Sequence, residues 1–291
     1  MPEYYVGLMS GTSMDGIDAA LVDFSGNSPV LLSTHVQPWP DDVVNDLLAS
    51  RQLEDSELDQ LDTLDAAIGE HFADATKQLL DKAGIDCKNI LAIGSHGQTI
   101  RHRPDAENPF SLQLGDADVI TQQTGINVVS DFRTADIKAG GQGAPLAPAF
   151  HEAVFRSRSE DRAILNIGGI ANLTLLPADN TEAVTGFDSG PGNTLMDAWI
   201  KKTKNRSYDV DGEFAASGQV NETLLASLLD DPYFEKPAPK STGFESFNLD
   251  WLESRTTAQL SDQDVQATLC ELTARSIATR LNTTQVQRLF Y

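Results

Sequence analysis

The segment SGTSMDG, from Ser10 to Gly16, contains residue types that support two different chemistries. Ser13 could attack a carbonyl carbon as a nucleophile. Alternatively, the glycines and hydroxyl side chains could form a turn that binds a phosphate. The two interpretations require different partners, so the rest of the sequence can separate them.

The nucleophile interpretation of Ser13 lacks a base. A serine nucleophile needs a histidine within hydrogen-bond reach and a group that orients it. Subtilisin-like proteases carry a similar Gly-Thr-Ser-Met, but their Asp and His precede the serine. Here no histidine precedes Ser13, and the first, His35, lies in an ordinary stretch of sequence. The flanking apolar runs also predict strands rather than a serine at the start of a helix.

The phosphate interpretation explains the same residues. Gly11 and Gly16 allow the backbone to approach an anion closely, and Thr12 and Ser13 add donors to a concave set of N–H groups. A plain β-hairpin would use the same residue types. A second glycine turn, in NIGGIANL around Gly168 and Gly169, favours phosphate binding, because two turns facing one cleft can hold both ends of a polyphosphate.

Two carboxylates near the first turn are candidate metal ligands. Mg²⁺ keeps several waters and takes few protein carboxylates, so Asp15 or Asp18 could hold a metal-bound water. No group of side chains has the spacing of a zinc or calcium site.

The charge of the chain excludes some partners. The 291 residues include 21 basic and 43 acidic ones, a formal net charge of -22. This field repels nucleic acid and anionic membranes, so we expect neither as a partner. It also repels ATP, whose charge must then be met locally by backbone N–H groups, arginines or a divalent metal.

Three features of the sequence indicate a cytoplasmic location. No apolar run approaches the roughly 20 residues that span a bilayer, and the N-terminus lacks a basic region followed by an apolar stretch. The two cysteines, Cys87 and Cys270, are too far apart in sequence to suggest a disulfide framework. We therefore expect a cytoplasmic protein.

The apolar pattern predicts an α/β chain built from two similar halves. Tyr4–Met9 and Ile17–Phe24 predict two strands joined by the first turn, and the runs around Gly168 and Gly169 repeat this arrangement. The Gly- and Pro-rich segment from Ala139 to Pro148 predicts a hinge. The other expected elements are a helix from Ser56 to Gly84, a strand at Ile90–Ile93, a helix from Asp116 to Gly125, a strand at Ile126–Val129, a helix through Phe155, a strand ending near Phe187 with a helix after it, a loop over Asp230–Gly243, a helix over Asp262–Leu281 and a strand over Val286–Tyr291.

Seven segments identify a family. They resemble the anhydro-N-acetylmuramic acid kinases, within the sugar kinase, heat-shock chaperone and actin superfamily, in the same order and over essentially the whole chain. These segments are GLMSGTSMDGIDAALVDF, GSHGQTIRHRP, LQLGD, DFRTADIKAGGQGAPLAPAFH, LNIGGIANLTLL, GFDSGPGNTLMDAW and PAPKSTGFESFN. The resemblance implies a duplicated, actin-like or ribonuclease H-like sugar kinase fold with two lobes and a central cleft, over residues 1–140 and 141–291.

The resemblance also implies an activity and a site. The family uses ATP and water to open the anhydro bridge of 1,6-anhydro-N-acetylmuramic acid and phosphorylate O6, in cell-wall recycling. Its catalytic aspartate maps onto Asp188, which could otherwise cap the following helix. Asp188 joins Asp15 and Asp18 as a candidate metal ligand. The expected ATP-binding residues are Gly11, Thr12, Ser13, Met14, Asp15, Gly16, Ile17, Asp18, Gly168 and Gly169.

One departure concerns the wider superfamily. Many of its members carry an acidic residue two positions after the first glycine of the motif, where this chain has Met9. The acidic role at the phosphates is then expected from Asp15, Asp18 or Asp188.

The sugar needs its own donors. Arg133 can offer a bidentate fork to the lactyl carboxylate; the alternative is a surface ion pair with Asp131 or Asp136. His96 and Gln98 could line the same cleft or serve as structural hydrogen-bonding groups. Lys240, Ser241 and Thr242 do not form a P-loop, because no Gly-rich loop leads them into a helix, and we expect a plain loop there.

Two further functions remain open at this level: a different sugar kinase of the superfamily and a non-catalytic sugar or nucleotide sensor. The oligomeric state is also open, with a homodimer as one candidate. The resemblance implies a further Gly-rich turn that contacts adenosine, expected after the strand that ends at Tyr291.

Overall fold

The computed structural model describes residues 1–11, 14, 16–104, 106–243, 246–256 and 260–291, apart from the side chain of residue 59. The chain divides into two compact units, Met1–Ala144 and Pro145–Tyr291. The division falls inside the Gly- and Pro-rich segment, close to the domain boundary expected after residue 140. In the part of the chain that is described, no helix is long and apolar enough to cross a membrane.

The first unit is a mixed sheet covered by helices. Its strands are β1 (Tyr4–Ser10), β2 (Ile17–Asp23), β3 (Val30–Gln37), β4 (Ile90–Arg103), β5 (Phe110–Leu114) and β6 (Val128–Val129). Its helices are α1 (Asp41–Ser50), α2 (Asp62–Ala83), α3 (Ala117–Thr124) and α4 (Thr134–Lys138), with 3-10 turns at Asp55–Gln60 and Cys87–Asn89. The sheet order is β3-β2-β1-β4-β5, and β6 pairs with β4.

Alternation of apolar residues positions this sheet. Val6, Leu8 and Ile17 point into one core, where the fully buried Ile68 and Phe72 of α2 pack against them. β1 and β2 pair in antiparallel fashion, whereas β1 and β4 run parallel, so the end of β1 and the middle of β4 lie side by side. This pairing brings the first turn next to the His96 segment.

The predicted elements of the first unit are largely present, with three differences. The helix expected from Ser56 begins at Asp62, because a 3-10 turn occupies residues 55–60, and it ends at Gly84 as expected. The strand expected at Ile90–Ile93 continues to Arg103. Four elements, β3, β5, α1 and α4, were not predicted from the sequence. β3 is an edge strand whose apolar residues Val30, Leu31 and Val36 are exposed, so no inward alternation marks it.

The second unit contains a four-stranded sheet and its own set of helices. Its strands are β7 (Arg162–Ile167), β8 (Ile170–Leu176), β9 (Thr185–Pro191) and β10 (Arg288–Phe290). Its helices are α5 (Ala147–Phe155), α6 (Thr194–Lys204), α7 (Glu213–Ala216), α8 (Glu222–Leu229), α9 (Pro232–Glu235), α10 (Leu249–Arg255) and α11 (Asp262–Asn282), with a 3-10 turn at Val210–Gly212. The predicted hairpin and the long helix are present, and the expected loop over Asp230–Gly243 contains α9.

The duplication inferred from the glycine turns is present in the strand topology. In the second sheet, of order β10-β7-β8-β9, the strands β7, β8 and β9 form an antiparallel meander and β7 pairs in parallel with β10. In the first sheet, β1, β2 and β3 form the same meander and β1 pairs in parallel with β4. The first two strands of each unit therefore form a hairpin whose first strand lies inside its sheet.

Close contact between two glycine-containing turns fixes the start of α6. The carbonyl oxygens of Gly168 and Gly169 accept hydrogen bonds from the backbone N–H groups of Gly192, Asn193 and Thr194. A Cβ atom at Gly192 would lie 2.1 Å from the Gly168 carbonyl oxygen. Only glycine allows this approach, so the β7–β8 turn and the end of β9 are held together at Gly192.

We predict that Gly192→Ala lowers the free energy of unfolding of the second unit by about 1–3 kcal/mol, because backbone atoms on both sides must move. Urea titration followed by circular dichroism measures the change. The matched control is Gly168→Ala in the same contact, where the nearest atoms to a new Cβ are 3.8 Å away. Equal stability of the two variants would contradict the prediction.

Candidate active site

The first turn is anchored by a buried polar network. Ser10 Oγ accepts a hydrogen bond from Trp39 Nε1 at 2.9 Å and lies within 2.8 Å of the Gly16 carbonyl oxygen and 2.7 Å of Gln98 Oε1. Its single hydroxyl proton serves one of these two acceptors at a time. Gln98 Nε2 donates to the Gly11 carbonyl oxygen at 3.1 Å. The Gly11 end of the turn is thereby tied to β4, and the Gly16 end contacts Ser10 of β1.

The described residues of the turn itself are closely packed. The Met14 N–H donates to the Gly11 carbonyl oxygen at 3.2 Å, and the Met14 side chain is buried in the core of the first unit. Ile17, also expected to contact ATP, is fully buried at the start of β2. Three residues expected at the ATP site, Thr12, Ser13 and Asp15, lie outside the described residues.

Asp18 lies directly opposite Met9 in the antiparallel pairing of β1 and β2. Opposed residues of an antiparallel pair share one face of the sheet. Both residues are exposed, so Asp18 and Met9 lie on the same face of the sheet. A role for Asp18 at the phosphates stays a prediction.

A β-bulge in β4 separates the roles of its polar residues. Leu8 pairs with Ser95 but Ser10 pairs with Gln98, so an additional residue of β4 is accommodated at His96–Gly97. Gly97 has a φ of +71°, and a Cβ atom there would lie 2.5 Å from the Leu114 carbonyl oxygen. The bulge leaves Gln98 fully buried beneath the turn and His96 half-buried. Gln98 thus holds the turn, and its contact with substrate stays a prediction.

His96 binds Arg133. The guanidinium Nη2 lies 2.9 Å and Nε lies 3.3 Å from His96 Nε2. Because a guanidinium only donates, Nε2 must be the acceptor and the proton belongs on Nδ1, which lies 3.0 Å from the Gly97 carbonyl oxygen. Burial lowers the pKa of His96, the Gly97 hydrogen bond raises it in part, and the charge of Arg133 lowers it. An imidazole whose Nε2 accepts from a guanidinium is neutral.

Arg133 keeps its positive charge without a carboxylate partner. No acidic side chain among the described residues forms an ion pair with it. The Asp136 carboxylate instead accepts from the Gly143 N–H at 2.7 Å, and that of Asp131 accepts from the Thr134 N–H. Burial lowers the pKa of Arg133, but a guanidinium stays charged. The surface ion pair considered from the sequence is absent here, which leaves a half-buried cation able to bind an anion.

In the second unit, Asp188 lies in β9 and not in the turn expected after Phe187. Its N–H donates to the Lys240 carbonyl oxygen at 2.9 Å, and its carbonyl oxygen accepts from the Tyr233 hydroxyl at 2.8 Å. Its carboxylate oxygen Oδ2 accepts from the Thr242 N–H at 2.9 Å. Asp188 does not cap α6 in the described structure, because its side chain bonds to Thr242.

The environment of Asp188 opposes its ionisation. Burial raises the pKa of Asp188, although the Thr242 hydrogen bond and the Lys240 charge lower it in part. Lys240 Nζ donates to the Tyr233 carbonyl oxygen at 2.8 Å and lies 4.1 Å from the centre of the Tyr233 ring. Burial lowers the pKa of Lys240 to about 8, with the cations Arg280 and Lys236 contributing. A carboxyl group with a raised pKa is suited to general-base work.

Some residues around Asp188 were not identified from the sequence. The Lys240–Thr242 segment, which we expected to be a plain loop, supplies two of the hydrogen bonds to Asp188. Asn172 of β8 lies directly opposite Asp188, and Asn166 of β7 lies opposite Asn172, so a polar row crosses the sheet. Asp188 and the Lys240–Thr242 segment are more than 50 positions apart, so no local pattern in the sequence indicates that they pair. The segment was noted only because PAPKST lies in one of the seven segments that resemble the family.

Metal ligation has limited support in the described structure. Among the described residues, no group of three or more His, Cys, Asp or Glu side chains could hold a metal ion. A site with one protein carboxylate and several waters stays compatible with Asp18.

Comparison with known proteins covers both units. The family model described as "Anhydro-N-acetylmuramic acid kinase" matches residues 3–290. A protein of that name from Shewanella sp. (strain ANA-3) is 53% identical over 277 residues, 94% of this chain and 75% of the relative. Another, from Coxiella burnetii (strain Dugway 5J108-111), is 52% identical over 277 residues, 95% of this chain and 74% of the relative.

Solved structures resemble the chain more distantly. The (R)-2-hydroxyglutaryl-CoA dehydratase component A of Acidaminococcus fermentans has a TM-score of 0.45 at 9% identity, covering 99% of this chain and 81% of that one. A ROK family glucokinase from Streptomyces griseus, in complex with glucose and AMPPNP, has a TM-score of 0.30 at 18% identity, covering 65% and 45%.

The sequence matches extend through both units and include the first turn, the His96–Arg133 pair and Asp188. This chain belongs to the anhydro-N-acetylmuramic acid kinase family.

Proposed function

We propose that this chain converts 1,6-anhydro-N-acetylmuramic acid, ATP and water into N-acetylmuramic acid 6-phosphate and ADP, as a step in peptidoglycan recycling. The observation that carries the proposal is the state of Asp188. It is a partly buried carboxylate with a raised pKa, fixed through Oδ2 by Thr242, while no described donor binds Oδ1. Family membership supplies the substrate class.

Asp188 acts as the general base of the hydrolytic step. It takes one proton from water as the water oxygen bonds to the anomeric carbon, and the second water hydrogen stays on the new anomeric hydroxyl. The bond between the anomeric carbon and O6 breaks, and its electron pair remains on O6. O6 then attacks the γ-phosphorus of ATP and ADP leaves. The proton on Asp188 is finally released to solvent.

Arg133 binds the lactyl carboxylate of the sugar. Two of its nitrogens face His96, which is neutral and so leaves the guanidinium charge uncompensated. The charge-assisted fork suits a carboxylate. The chain is strongly acidic as a whole, so an anionic sugar needs such a local cation.

The first turn binds the phosphates of ATP. Gln98 and Ser10 engage the carbonyl oxygens of Gly11 and Gly16, which directs these acceptors into the protein and away from an anion. Gly168 and Gly169 contribute the second turn. Mg²⁺ bound with ATP would neutralise charge on the transferred phosphoryl group, and the exposed Asp18 is the residue we assign to its water shell. Because the reaction consumes ATP, we place it in the cytoplasm.

The decisive experiment incubates the full chain with ATP, Mg²⁺ and 1,6-anhydro-N-acetylmuramic acid in ¹⁸O-water. We expect a phosphorylated sugar that is heavier by one water than the phosphorylated anhydro sugar, with the label at the anomeric carbon before that hydroxyl exchanges. An unlabelled product that retains its anhydro ring would indicate an ordinary sugar kinase. Binding without turnover would indicate a sensor. Either result would exclude the proposed reaction.

We predict that Asp188→Asn lowers kcat by about 10²–10⁴-fold, the range for loss of a general base. The free energy of unfolding, unlike kcat, should not fall in this variant. Because burial raises the pKa of Asp188 in the folded state, its protonated form contributes to stability fully below the ordinary pKa of 3.8. This contribution is lost as the pH rises through the folded pKa. At pH 7 the uncharged amide should therefore unfold at an equal or higher urea concentration.

A matched control for Asp188 is available in α6. Burial also raises the pKa of Asp197, with the charge of Asp209 contributing. We expect Asp197→Asn to retain turnover. If Asp188→Asn retained turnover as well, Asp188 would not be the base.

We predict that Arg133→Gln raises KM for the anhydromuramic sugar by about 10–100-fold, because it removes a charge-assisted hydrogen bond. The analogue 1,6-anhydro-N-acetylglucosamine lacks the lactyl group and should be bound equally by both enzymes. Steady-state kinetics with the two sugars measures the difference, with the exposed Arg103→Gln as control. A variant that still preferred the muramic sugar would contradict this role.

A further inference from the structure

Thr242 has a backbone N–H that is hydrogen-bonded and a side-chain hydroxyl that is not. Its backbone N–H donates to Asp188 Oδ2 at 2.9 Å, while its hydroxyl oxygen Oγ1 is buried and has no hydrogen-bond partner among the described residues. Buried polar side-chain atoms nearly always have partners, because an unpaired one loses the hydrogen bonds that it made with water. The unpaired hydroxyl therefore calls for an explanation.

Other buried threonine hydroxyls of the second unit are used structurally. Thr273 Oγ1 donates to the Gly192 carbonyl oxygen at 2.7 Å, and Thr268 Oγ1 donates to the Asp264 carbonyl oxygen at 2.6 Å. Thr174 Oγ1 lies 3.0 Å from His151 Nδ1. The Thr242 hydroxyl, in contrast, makes no hydrogen bond to any described residue of the unit.

The neighbours of Thr242 fix its position relative to Asp188. The Asp188 N–H donates to the Lys240 carbonyl oxygen, which ties β9 to the Lys240–Thr242 segment at one point besides the carboxylate. The Asp188 carbonyl oxygen accepts from the Tyr233 hydroxyl, which ties β9 to α9. The Lys240 ammonium is held by the Tyr233 carbonyl oxygen and lies over the Tyr233 ring. Thr242 is thus fixed against Asp188 through its N–H, and its hydroxyl, which has no partner among the described residues, can bind a small polar molecule.

We propose that Thr242 is a second catalytic residue of the hydrolytic step and that its hydroxyl binds the attacking water beside Asp188. The proposal rests on the function proposed above. Asp188 Oδ1 accepts the proton that leaves the water, and Thr242 Oγ1 accepts a hydrogen bond from the other hydrogen, which stays on the anomeric hydroxyl. Thr242 neither gains nor loses a proton. It orients the water oxygen toward the anomeric carbon.

The test compares Thr242→Val, which keeps the N–H and the shape but removes the hydroxyl, with Thr242→Ser, which keeps both polar groups. We expect Thr242→Val to lower kcat by about tenfold or more, with KM for ATP unchanged, and Thr242→Ser to restore most of the activity. Because Val removes an unpaired buried hydroxyl, its urea midpoint should equal or exceed that of the wild type.

Thr268→Val is the matched control. The Thr268 hydroxyl donates to the Asp264 carbonyl oxygen and accepts from the Asn221 N–H. We therefore expect Thr268→Val to lower the free energy of unfolding and to leave kcat unchanged. If the wild type turns over and Thr242→Val has an unchanged kcat, or loses stability as Thr268→Val does, the role of Thr242 is overturned while the proposed function stands. A wild type without turnover would overturn both.

Discussion

Asp188, the carboxylate that we propose as the base, lies where burial opposes the ionisation that a base requires. Full exposure of Asp188 would remove the conflict but would also leave an ordinary, weakly basic carboxylate. The structure instead compensates locally. One backbone N–H, from Thr242, stabilises the charged form, and the Lys240 ammonium adds a favourable charge. The result is a group whose pKa is raised but whose position is fixed.

The functional groups of both units occur where regular pairing is interrupted. In β4 the bulge at His96–Gly97 places Gln98 inside the sheet and His96 at its border. In the second sheet, the register shifts between Ala171 and Asn172, next to the residue that faces Asp188. A regular strand would alternate its side chains strictly between two faces. A bulge therefore allows one polar residue to be buried in the core while its neighbour in sequence reaches the candidate site.

Local signals in the sequence predicted much of the fold. Hairpins flanked by apolar runs, the Asp116 cap of α3 and the amphipathic α11 depend on residues close in sequence, and the structure contains them. The exposed edge strand β3 carries no inward pattern and was missed. Within the site, Asp188 was named through a family motif, but its contacts with Lys240 and Thr242 depend on pairing across more than 50 residues. The His96–Arg133 contact was missed for the same reason, since the nearby Asp131 and Asp136 were the more obvious partners.

The His96–Arg133 pair limits which residues evolution can accept at position 96. The guanidinium needs an acceptor there to hold its orientation, and it must keep its charge to bind the anionic sugar that we propose as its ligand. A carboxylate would satisfy the first demand and defeat the second, since it would neutralise the cation internally. A lysine would leave the charge of Arg133 in place but fail the first demand, because an ammonium group has no acceptor. Position 96 is thereby restricted to neutral acceptors of the right reach, although its side chain is assigned no step in the reaction.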